Sequence, residues 1–453
     1  MIGVLGLARS GVAAARLALA RGERVYVSDS GSTLELERAA DELRAAGADA
    51  ATGGHDARKL AACTLVVVSP GIPLGAPVVY AVREAGVPVV SELEYAARYI
   101  AAPLAAVTGT NGKTTTTALL AHLLQAAGMD APAAGNIGTA LSEVALREPA
   151  PDAVVVEASS YQLGAVDIFA PLVGVVTNLA PDHLDRYPSL ASYYADKAHL
   201  FDNADATSTW VLNGEDAAVR ALVGDAPGER LWFRVASTLA GDEDGGFVDA
   251  DGNLVVSLHG AGLPLANVAE LRLLGAHNHA NALAAALAAL AMGADVDAVT
   301  RGLTSFGGLE HRLEVLGERA GVLWINDSKA TTVGATRVAL RAVDRPIVLL
   351  LGGRHKGEPY TDLLAAMKDR VRAVVAYGEA AALVEESLGP HVPVERVDGS
   401  FEEVVEAAAA LARPGDALLL APACASFDMF QDYEERGRRF KALAARAPEN
   451  AHG

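Results

Sequence analysis

Short apolar runs alternate with alanine-rich stretches at the start of the chain. Runs 1–5, 24–28 and 64–69 have the length and composition of buried strands, and 11–21 has the composition of a helix. Strands that alternate with helices indicate a parallel sheet covered by helices. We therefore predict a Rossmann-like α/β domain in this part of the chain.

The same alternation returns in two later parts of the chain. A second unit begins near residue 91, and the Gly-rich segment 305–309 precedes a third. Segment 241–253 predicts a hairpin or loop, and 278–292 predicts a buried helix. Further strands are predicted at 153–156, 172–177, 322–325, 346–351, 373–376 and 417–420. The sequence thus predicts three α/β domains, 1–90, 91–307 and 308–453, the central one with a parallel sheet of the phosphate-loop ATPase type.

A glycine-rich loop joins an apolar run to a predicted helix in the second unit. It carries Gly109, Gly112, Lys113 and Thr114. Glycines let backbone N–H groups close around phosphate oxygens, the lysine reaches the terminal phosphates, and the next hydroxyl binds Mg²⁺. Val107 stands where the strict pattern has another glycine, so the motif is a shortened variant. The loop predicts ATP or a relative as ligand, and a plain turn before a helix is the alternative.

Composition narrows the class of protein. The chain has 453 residues, of which 51% are hydrophobic and 21% charged, as in soluble globular proteins. No run is long enough to span a bilayer, the N-terminus lacks a signal peptide's basic region, and two cysteines are too few for a disulfide framework. A net charge of -19 disfavours nucleic acid as a partner. We expect a cytoplasmic protein without membrane insertion, in which anionic ligands are bound by local cations.

A second glycine loop lies near the N-terminus. Gly6-Leu-Ala-Arg-Ser-Gly11 follows the first predicted strand, and Asp29 closes the second. A dinucleotide fold has similar features, but Ala8 occupies the position where a glycine lets the backbone approach a pyrophosphate. The loop therefore fits phosphate binding of some nucleotide, NAD binding, or a strand-to-helix turn. Segment 69–73 either completes the same crevice or forms a rigid turn.

Polar side chains also follow the strands of the central unit. Glu157 ends a buried strand, where it can hold Mg²⁺ with the Thr114 hydroxyl or cap a helix. Composition alone favours an ordinary exposed cation at Lys197. The strand after Glu157 is followed by a candidate ligand group, Asp182, His183 and Asp185.

The third unit concentrates cations and hydroxyls after its strands. Asn278, near the start of the preceding helix, predicts an N-cap. Any one polar residue at a strand end could be loop decoration, but several together predict a site for carboxylates or phosphates. The strand-end residues concerned are Arg312, Lys329, Lys356 and Ser426.

Together the motifs resemble those of the Mur ligases of peptidoglycan synthesis, in family order over the whole chain. The compact phosphate loop is shared with folylpolyglutamate synthases, whereas the blocks 159–163, 327–331 and 422–426 resemble the D-glutamate-adding branch. The motifs are Thr108-Gly-Thr-Asn-Gly-Lys-Thr-Thr115, Glu157-Ala-Ser-Ser-Tyr-Gln-Leu163, Asn178 to His183, His277-Asn278, His311-Arg312, Asn326-Asp-Ser-Lys-Ala-Thr331 and Ala421-Pro-Ala-Cys-Ala-Ser426.

The resemblance implies a three-domain enzyme that joins D-glutamate to UDP-N-acetylmuramoyl-L-alanine using ATP. The Rossmann-like N-terminal domain would hold the UDP substrate, the central domain ATP, and the Rossmann-like C-terminal domain the amino acid. The substrate carboxylate would attack the γ-phosphate to give an acyl phosphate, which the D-glutamate amine would then displace. Positions that match the family's UDP-substrate site are Leu7, Ala8, Arg9, Ser10, Asp29, Ser69, Pro70, Gly71, Ile72 and Asn136.

The resemblance also implies two Mg²⁺ ions. Thr114 and Glu157 would hold one ion, and His183 and Lys197 the other. Because an ammonium repels Mg²⁺, Lys197 would act as a carbamate, which reverses its interpretation as an exposed cation. The implied catalytic residues are Lys113, His183 and Lys197. The implied ATP-binding residues are Thr110, Asn111, Gly112, Lys113, Thr114, Thr115, Thr116, Asn278, Arg312 and Asp327.

The implied D-glutamate site lies in the third domain. Thr331, Lys356, Ser426 and Tyr433 would hold the carboxylates, although relatives carry Phe at the position of Tyr433. Since ATP would bridge the central and C-terminal domains, we predict a hinge near 306–309 that closes on ligand binding. We expect the enzyme to be a monomer.

Three other functions stay open at this point. A ligase of the same family, or of the folylpolyglutamate type, could add a different amino acid. An NAD-dependent oxidoreductase would use Gly6, Gly11 and Asp29, but it leaves Lys113 without a task. A non-catalytic nucleotide switch leaves the carboxylate-binding groups of the third unit unexplained.

Overall fold

The computed structural model describes residues 1–184, 186–258 and 260–447, and these residues form three sheets. The first sheet is parallel, with strand order β3-β2-β1-β4-β5. Its strands are β1 Ile2–Leu5, β2 Val25–Ser28, β3 Asp49–Ala51, β4 Leu65–Val68 and β5 Val89–Ser91. The accompanying helices are α1 Arg9–Ala20, α2 Leu34–Ala45, α3 Ala57–Ala61, α4 Pro77–Glu84 and α5 Glu92–Ala97.

The second sheet has the order β14-β13-β12-β11-β10-β9-β6-β8-β7. It is parallel from β7 to β12, and β13 and β14 add an antiparallel extension. Its strands are β6 Leu104–Thr108, β7 Ala133–Gly135, β8 Val154–Glu157, β9 Val173–Val176, β10 Thr209–Asn213, β11 Glu229–Arg234, β12 Gly245–Val248, β13 Asn253–Leu258 and β14 Ala261–Asn267. Its helices are α6 Lys113–Ala126, α7 Leu141–Val144, α8 Ser160–Leu163, α9 Leu190–Ala198, α10 Ala217–Val223, α11 Ala276–Ala291 and α12 Val296–Ser305.

The third sheet has the order β15-β16-β20-β17-β18-β19 and is parallel except for the edge strand β15. Its strands are β15 Glu314–Arg319, β16 Val322–Asn326, β17 Ile347–Gly352, β18 Val371–Tyr377, β19 Val394–Val397 and β20 Ala417–Leu420. Its helices are α13 Val333–Ala342, α14 Leu364–Met367, α15 Ala381–Leu388, α16 Phe401–Leu411 and α17 Tyr433–Ala444.

By its internal contacts the chain forms two units. The first comprises 1–268 and 280–304, and the second comprises 269–279 and 305–453. The first two sheets share one unit because a single hydrophobic cluster contains residues of both, such as Val27 and Val156. The boundaries after 90 and 307, and a closing hinge at 306–309, therefore stay predictions. Within the described ranges no helix is long and apolar enough to cross a membrane.

The parallel α/β architecture predicted from the sequence is confirmed, because the predicted apolar runs are strands and 276–291 is a helix. The segment 241–253 enters the hairpin formed by β12 and β13. The antiparallel strands β14 and β15 were not predicted, since each is only partly buried and lacks a continuous apolar run. Asn278 is not an N-cap: helix α11 begins at Ala276, and the Asn278 carboxamide donates to the Leu274 carbonyl at 2.8 Å.

Candidate active site

The phosphate loop connects β6 to α6 at the carboxyl end of the second sheet. Gly109 has φ +136° and Gly112 has φ +86°, a region that side chains disfavour. A Cβ on Gly109 would lie 2.0 Å from Thr177 Oγ1, and one on Gly112 would lie 2.4 Å from Asn281 Oδ1. Both glycines are therefore required by conformation and by space, and the predicted loop is confirmed as a strand-loop-helix turn.

Two lysines meet at one carbonyl of this loop. Lys113 Nζ donates to the carbonyl oxygens of Gly109 at 3.0 Å and Thr110 at 2.8 Å. Lys197 Nζ, which comes from α9, donates to the same Gly109 oxygen at 2.8 Å. Two of the three residues that the family resemblance names as catalytic, Lys113 and Lys197, are thus brought together at the phosphate loop.

Lys197 is buried, which makes the composition-based interpretation of an exposed cation wrong. Only 1% of its surface is exposed, and its ammonium lies 4.7 Å from the centre of the Tyr193 ring. Burial, helped by repulsion from Lys113, lowers the pKa of Lys197 to about 7, against attraction from Asp182 and Asp196. At neutral pH a large part of this amine is therefore uncharged.

Glu157 offers an oxygen that fits a hard cation. Its side chain is 2% exposed, and its Oε1 accepts a hydrogen bond from Asn136 Nδ2 at 2.9 Å. The other oxygen, Oε2, is buried without a hydrogen-bond partner. A buried unpaired carboxylate oxygen is costly unless a ligand satisfies it, so the residue fits Mg²⁺ coordination. Glu157 does not cap a helix, because Ser159 caps α8.

His183 has an unusual backbone conformation beside an aromatic cluster. Its φ is +53°, and its ring centre lies 5.3 Å from that of Tyr161 and 6.1 Å from that of Tyr193. His183 and Lys197 thus both neighbour the Tyr193 ring. Among the described residues no group of three or more His, Cys, Asp or Glu side chains could hold a metal, so the resemblance-based set depends on Thr114 and a modified lysine. Asp185, also predicted here, lies outside the described residues.

The N-terminal glycine loop is built around Asp29. The two Asp29 oxygens accept the backbone N–H groups of Leu7 at 2.9 Å and Gly31 at 2.8 Å, which holds the loop after β1 against the loop after β2. Ser69 Oγ is buried without a hydrogen-bond partner, beside Gly6. This buried hydroxyl supports an anion-binding function for the loop over a plain turn.

A pocket of about 590 Å³ opens next to this loop, at the carboxyl end of the first sheet. Its walls are mostly apolar, and Ser30, His55 and Ile72 are among the lining residues. Ser28 Oγ lies 2.9 Å from His55 Nδ1, and burial lowers the pKa of His55, which favours a neutral imidazole. Apolar walls with a few polar groups suit a flat heterocycle.

Three loops of the third sheet are joined to one another. The backbones of Arg354 and Ala425 exchange hydrogen bonds of 2.8 and 3.0 Å, and Ala423 N–H donates to the Ala330 carbonyl at 2.9 Å. Lys356 Nζ also donates to Thr331 Oγ1 at 2.9 Å. These contacts arise because β20 lies between β16 and β17 in the sheet. Two of the residues predicted to bind D-glutamate, Lys356 and Thr331, are therefore in direct contact.

Asp327 is a buried acid at the end of β16. Burial raises its pKa to about 7, against a hydrogen bond from Leu313 N–H and attraction from Arg312. The Leu313 N–H donates to Asp327 Oδ1 at 3.2 Å. Arg312 and Asp327, both predicted to bind ATP, are thus neighbours in this unit.

Ser426 and Tyr433 lie on segments that a buried arginine holds. Arg436, fully buried, donates from Nε to Ser328 Oγ at 2.9 Å and from Nη2 to Cys424 O at 3.3 Å. Ser328 Oγ donates to the Tyr433 carbonyl, and Ser426 itself is 2% exposed. The Tyr433 hydroxyl donates to Glu434, so it has a local partner on its own helix.

Sequence reasoning missed several residues that organise these sites: His55, Asn178, Tyr193 and Arg436. Tyr193 Oη lies 3.3 Å from Thr110 Oγ1, so it connects the phosphate loop to the helix of Lys197. Such contacts span many residues of sequence and leave no local pattern. Only Asn178 stood inside a recognised motif.

Family models match three consecutive parts of the chain. The Mur ligase MurD-like N-terminal domain matches 1–91, the Mur ligase middle domain matches 107–289, and the Mur ligase glutamate ligase domain matches 311–424.

Curated relatives match nearly the full chain. A protein named UDP-N-acetylmuramoylalanine--D-glutamate ligase from Salinibacter ruber is 42% identical over 97% of this chain and 96% of its own. A protein of the same name from Anaeromyxobacter dehalogenans has the same identity and coverage. Both alignments thus extend over almost the whole length of this chain and of the two relatives.

Solved structures share the fold at lower identity. The UDP-N-acetylmuramate-alanine ligase of Thermotoga maritima has a TM-score of 0.57 at 22% identity and covers 98% of this chain and 99% of its own. A pseudomurein peptide ligase type C from Methanothermus fervidus has a TM-score of 0.57 at 19% identity with the same coverage. These likenesses concern the architecture alone.

Proposed function

Since this chain belongs to the Mur ligase family and is an ATP-dependent ligase, we propose that it joins D-glutamate to UDP-N-acetylmuramoyl-L-alanine in the cytoplasm. The names of relatives at 42% identity support these substrates. The structural observation that carries the proposal is the buried Lys197 amine on the Gly109 carbonyl, beside Lys113. Lys197 is a second lysine at the phosphate loop, and nucleotide binding alone does not require it.

The proposed reaction activates a carboxylate before the amide forms. A carboxylate oxygen of the L-alanyl group attacks the γ-phosphorus of ATP, so that a carboxyl-phosphate bond forms and ADP leaves. The D-glutamate amine then attacks the acyl carbon, the new C–N bond forms, phosphate leaves and the amine loses its proton. Both steps concentrate negative charge, and Lys113 offsets it at the terminal phosphates.

We assign metal binding to four side chains of the first unit. Bound Mg²⁺ would neutralise phosphate charge during transfer. The unpaired Glu157 Oε2 and the Thr114 hydroxyl would hold one ion, and His183 with Lys197 would hold the second. Glu157 Oε1 stays engaged by Asn136, which fixes the direction of Oε2.

For Lys197 to become an oxygen ligand, its neutral amine must add to CO₂, forming a carbamate and releasing a proton. The pKa of about 7 makes the neutral amine available near neutral pH. Conversion of the ammonium to an anion also removes its repulsion with Lys113. The low pKa of Lys197, which follows from burial and from repulsion by Lys113, thus supports carbamylation.

We propose that the UDP substrate binds across the N-terminal glycine loop. The buried Ser69 hydroxyl and the start of α1 suit its phosphates, and the pocket beside His55 suits the uracil ring. The matching residues proposed here are those named in the sequence: Leu7, Ala8, Arg9, Ser10, Asp29, Ser69, Pro70, Gly71, Ile72 and Asn136.

In the second unit, Lys356 and Thr331 would bind a D-glutamate carboxylate as a pair, since a hydrogen bond already joins their side chains. Ser426 would add a hydroxyl, and Tyr433 is the weakest member because its hydroxyl already donates to Glu434. Arg312, Asp327 and Asn278 would contact ATP.

Isotope transfer tests the carboxylate-activation step. UDP-N-acetylmuramoyl-L-alanine labelled with ¹⁸O in its carboxyl group should pass one labelled oxygen to each phosphate released in the presence of ATP and D-glutamate. Unlabelled phosphate, with amide product formed, would rule out attack of the carboxylate on phosphorus.

A further inference from the structure

The phosphate loop is held in shape by one asparagine that follows the neighbouring strand. Asn178 comes two residues after β9, which pairs with β6, so it lies alongside the loop that follows β6. Its carboxamide Nδ2 donates to the Asn111 carbonyl at 2.9 Å, and its Oδ1 accepts from Asn111 N–H at 2.9 Å. Both main-chain groups of Asn111 are therefore bound by one side chain.

The backbone on either side adds to this contact. The Asn178 carbonyl accepts from Thr110 N–H at 2.8 Å. The Thr177 hydroxyl donates towards the Asn111 carbonyl at 2.6 Å, and the Thr177 carbonyl accepts from Asn213 on β10. The side chain of Asn178 thus continues the pairing of two parallel strands past the point where both strands end.

The Asn178 contacts restrict the conformation of the phosphate loop before a nucleotide binds. A phosphate loop binds through N–H groups that point towards one centre, and a loop rich in glycine loses much conformational freedom on adopting that shape. The Asn178 contacts fix Thr110 and Asn111 directly, next to Gly112 and Lys113. Folding therefore already includes part of the loss of conformational entropy in the loop, and nucleotide binding does not have to compensate for that part.

We propose that Asn178 is a positioning residue that holds the phosphate loop in its nucleotide-binding shape. The inference rests on the proposed function, in that the loop must bind ATP for the effect to be observed. Asn178 acts through the backbone of Asn111 and does not itself need to touch phosphate.

Asn203 provides a matched control. Its carboxamide Nδ2 also donates to two main-chain carbonyls, those of Asp167 at 2.9 Å and Phe169 at 3.2 Å. These carbonyls precede β9, whereas Asn178 follows it, so Asn203 lies at the other end of that strand. Asn203→Ala removes a comparable pair of contacts without touching the phosphate loop.

The experiment measures binding of the ATP analogue AMP-PNP with Mg²⁺, and of UDP, to the full chain by calorimetry, with thermal midpoints recorded in parallel. Loss of two hydrogen bonds should weaken AMP-PNP binding of Asn178→Ala by about tenfold, while UDP affinity changes less than about twofold. Asn203→Ala should keep wild-type affinity for both nucleotides at a similar loss of thermal midpoint.

Two results would overturn the inference. One is wild-type AMP-PNP affinity in Asn178→Ala, and the other is an equal loss of AMP-PNP affinity in Asn203→Ala, which would reveal a general stability effect. If the wild-type chain itself binds no AMP-PNP, the proposed ATP-dependent function fails instead, so the two failures are distinguishable.

Discussion

Lys197 and Asp327 are buried ionisable residues, one in each unit, and burial shifts the pKa of each towards its neutral form. Their consequences differ. A neutral lysine is a nucleophile for CO₂, whereas a neutral aspartic acid can donate a hydrogen bond. Such pKa shifts are common at functional sites, so we expect substitution of either residue to alter ligand binding or catalysis.

Replacing Lys197 with Ala should lower the ligase rate by at least about a hundredfold, because the second metal site would lose its oxygen ligand. Short-chain carboxylic acids should restore part of the rate by placing a carboxylate in the space left. The ADP-release rate measures both effects. Unchanged activity after the substitution would show that Lys197 has no bridging role.

Asp327 should make stability depend on pH. Its pKa of about 7 in the fold lies above the unfolded value of about 4, so the fold binds a proton that the unfolded chain lacks between these values. Wild-type stability should therefore fall as pH rises from about 4 to about 7. Asp327→Asn should match wild type near pH 4 and be more stable above pH 7, by at most about 4 kcal/mol.

Chemical unfolding of both proteins across this pH range checks the prediction for Asp327. A stability difference that is constant with pH would contradict it. The same variant should bind ATP more weakly if Asp327 contacts the nucleotide, so a gain in stability would accompany a loss of function.

His55 should contribute to UDP binding. Replacing it with Ala removes the polar ring from the pocket lining and should weaken UDP affinity several-fold, with AMP-PNP affinity unchanged. His391→Ala, at an exposed position of the other unit, is the control. Equal UDP affinity in the two variants would show that His55 does not contribute to UDP binding.

The order of strands in each sheet explains how these residues come together. In each sheet most of the residues assigned to ligands follow parallel strands at their carboxyl ends, because all parallel strands end at the same edge. Arg312, predicted at a strand end, instead precedes the antiparallel strand β15. Glu157 ends β8, the phosphate loop follows β6, and Asn178 follows β9, and β6 lies between the other two strands. The loops of the third sheet meet for the same reason.

The turn between β6 and α6 should not tolerate a side chain. Gly109→Ala places a Cβ 2.0 Å from Thr177 Oγ1 at a φ of +136°, so we expect AMP-PNP binding to be lost or reduced at least about tenfold. Gly128→Ala, at φ +86° just after the same helix with open space around it, carries backbone strain without the contact. Similar AMP-PNP affinity in both variants would contradict the requirement.

Across the whole molecule, the sequence predicted what is local and repeated. Apolar runs identified many of the parallel strands, although β3, β5, β7, β10, β11 and β19 were not predicted. The glycines around Lys113 identified the loop. The burial of Lys197, the neighbour relation of Lys356 and Thr331, and the role of Asn178 depend on which strands are adjacent. Strand order is set by packing of distant segments, so no local pattern could reveal it.

The distribution of charge also acts at the scale of the whole molecule. With a net charge of -19, the chain repels anionic substrates on average. The cations assigned to binding, such as Lys113 and Lys356, lie in the segments that follow β6 and β17. Local geometry therefore has to overcome the overall potential, and salt should alter substrate binding less than it would for a protein that relies on long-range attraction.

The central claim is the choice of amino acid. The most direct test measures ADP release by the full chain with ATP and Mg²⁺ over a panel of D- and L-amino acids, with and without UDP-N-acetylmuramoyl-L-alanine. We predict rapid release only when D-glutamate and the UDP substrate are both present. Faster release with L-glutamate or a diamino acid, or release that does not depend on the UDP substrate, would contradict the account.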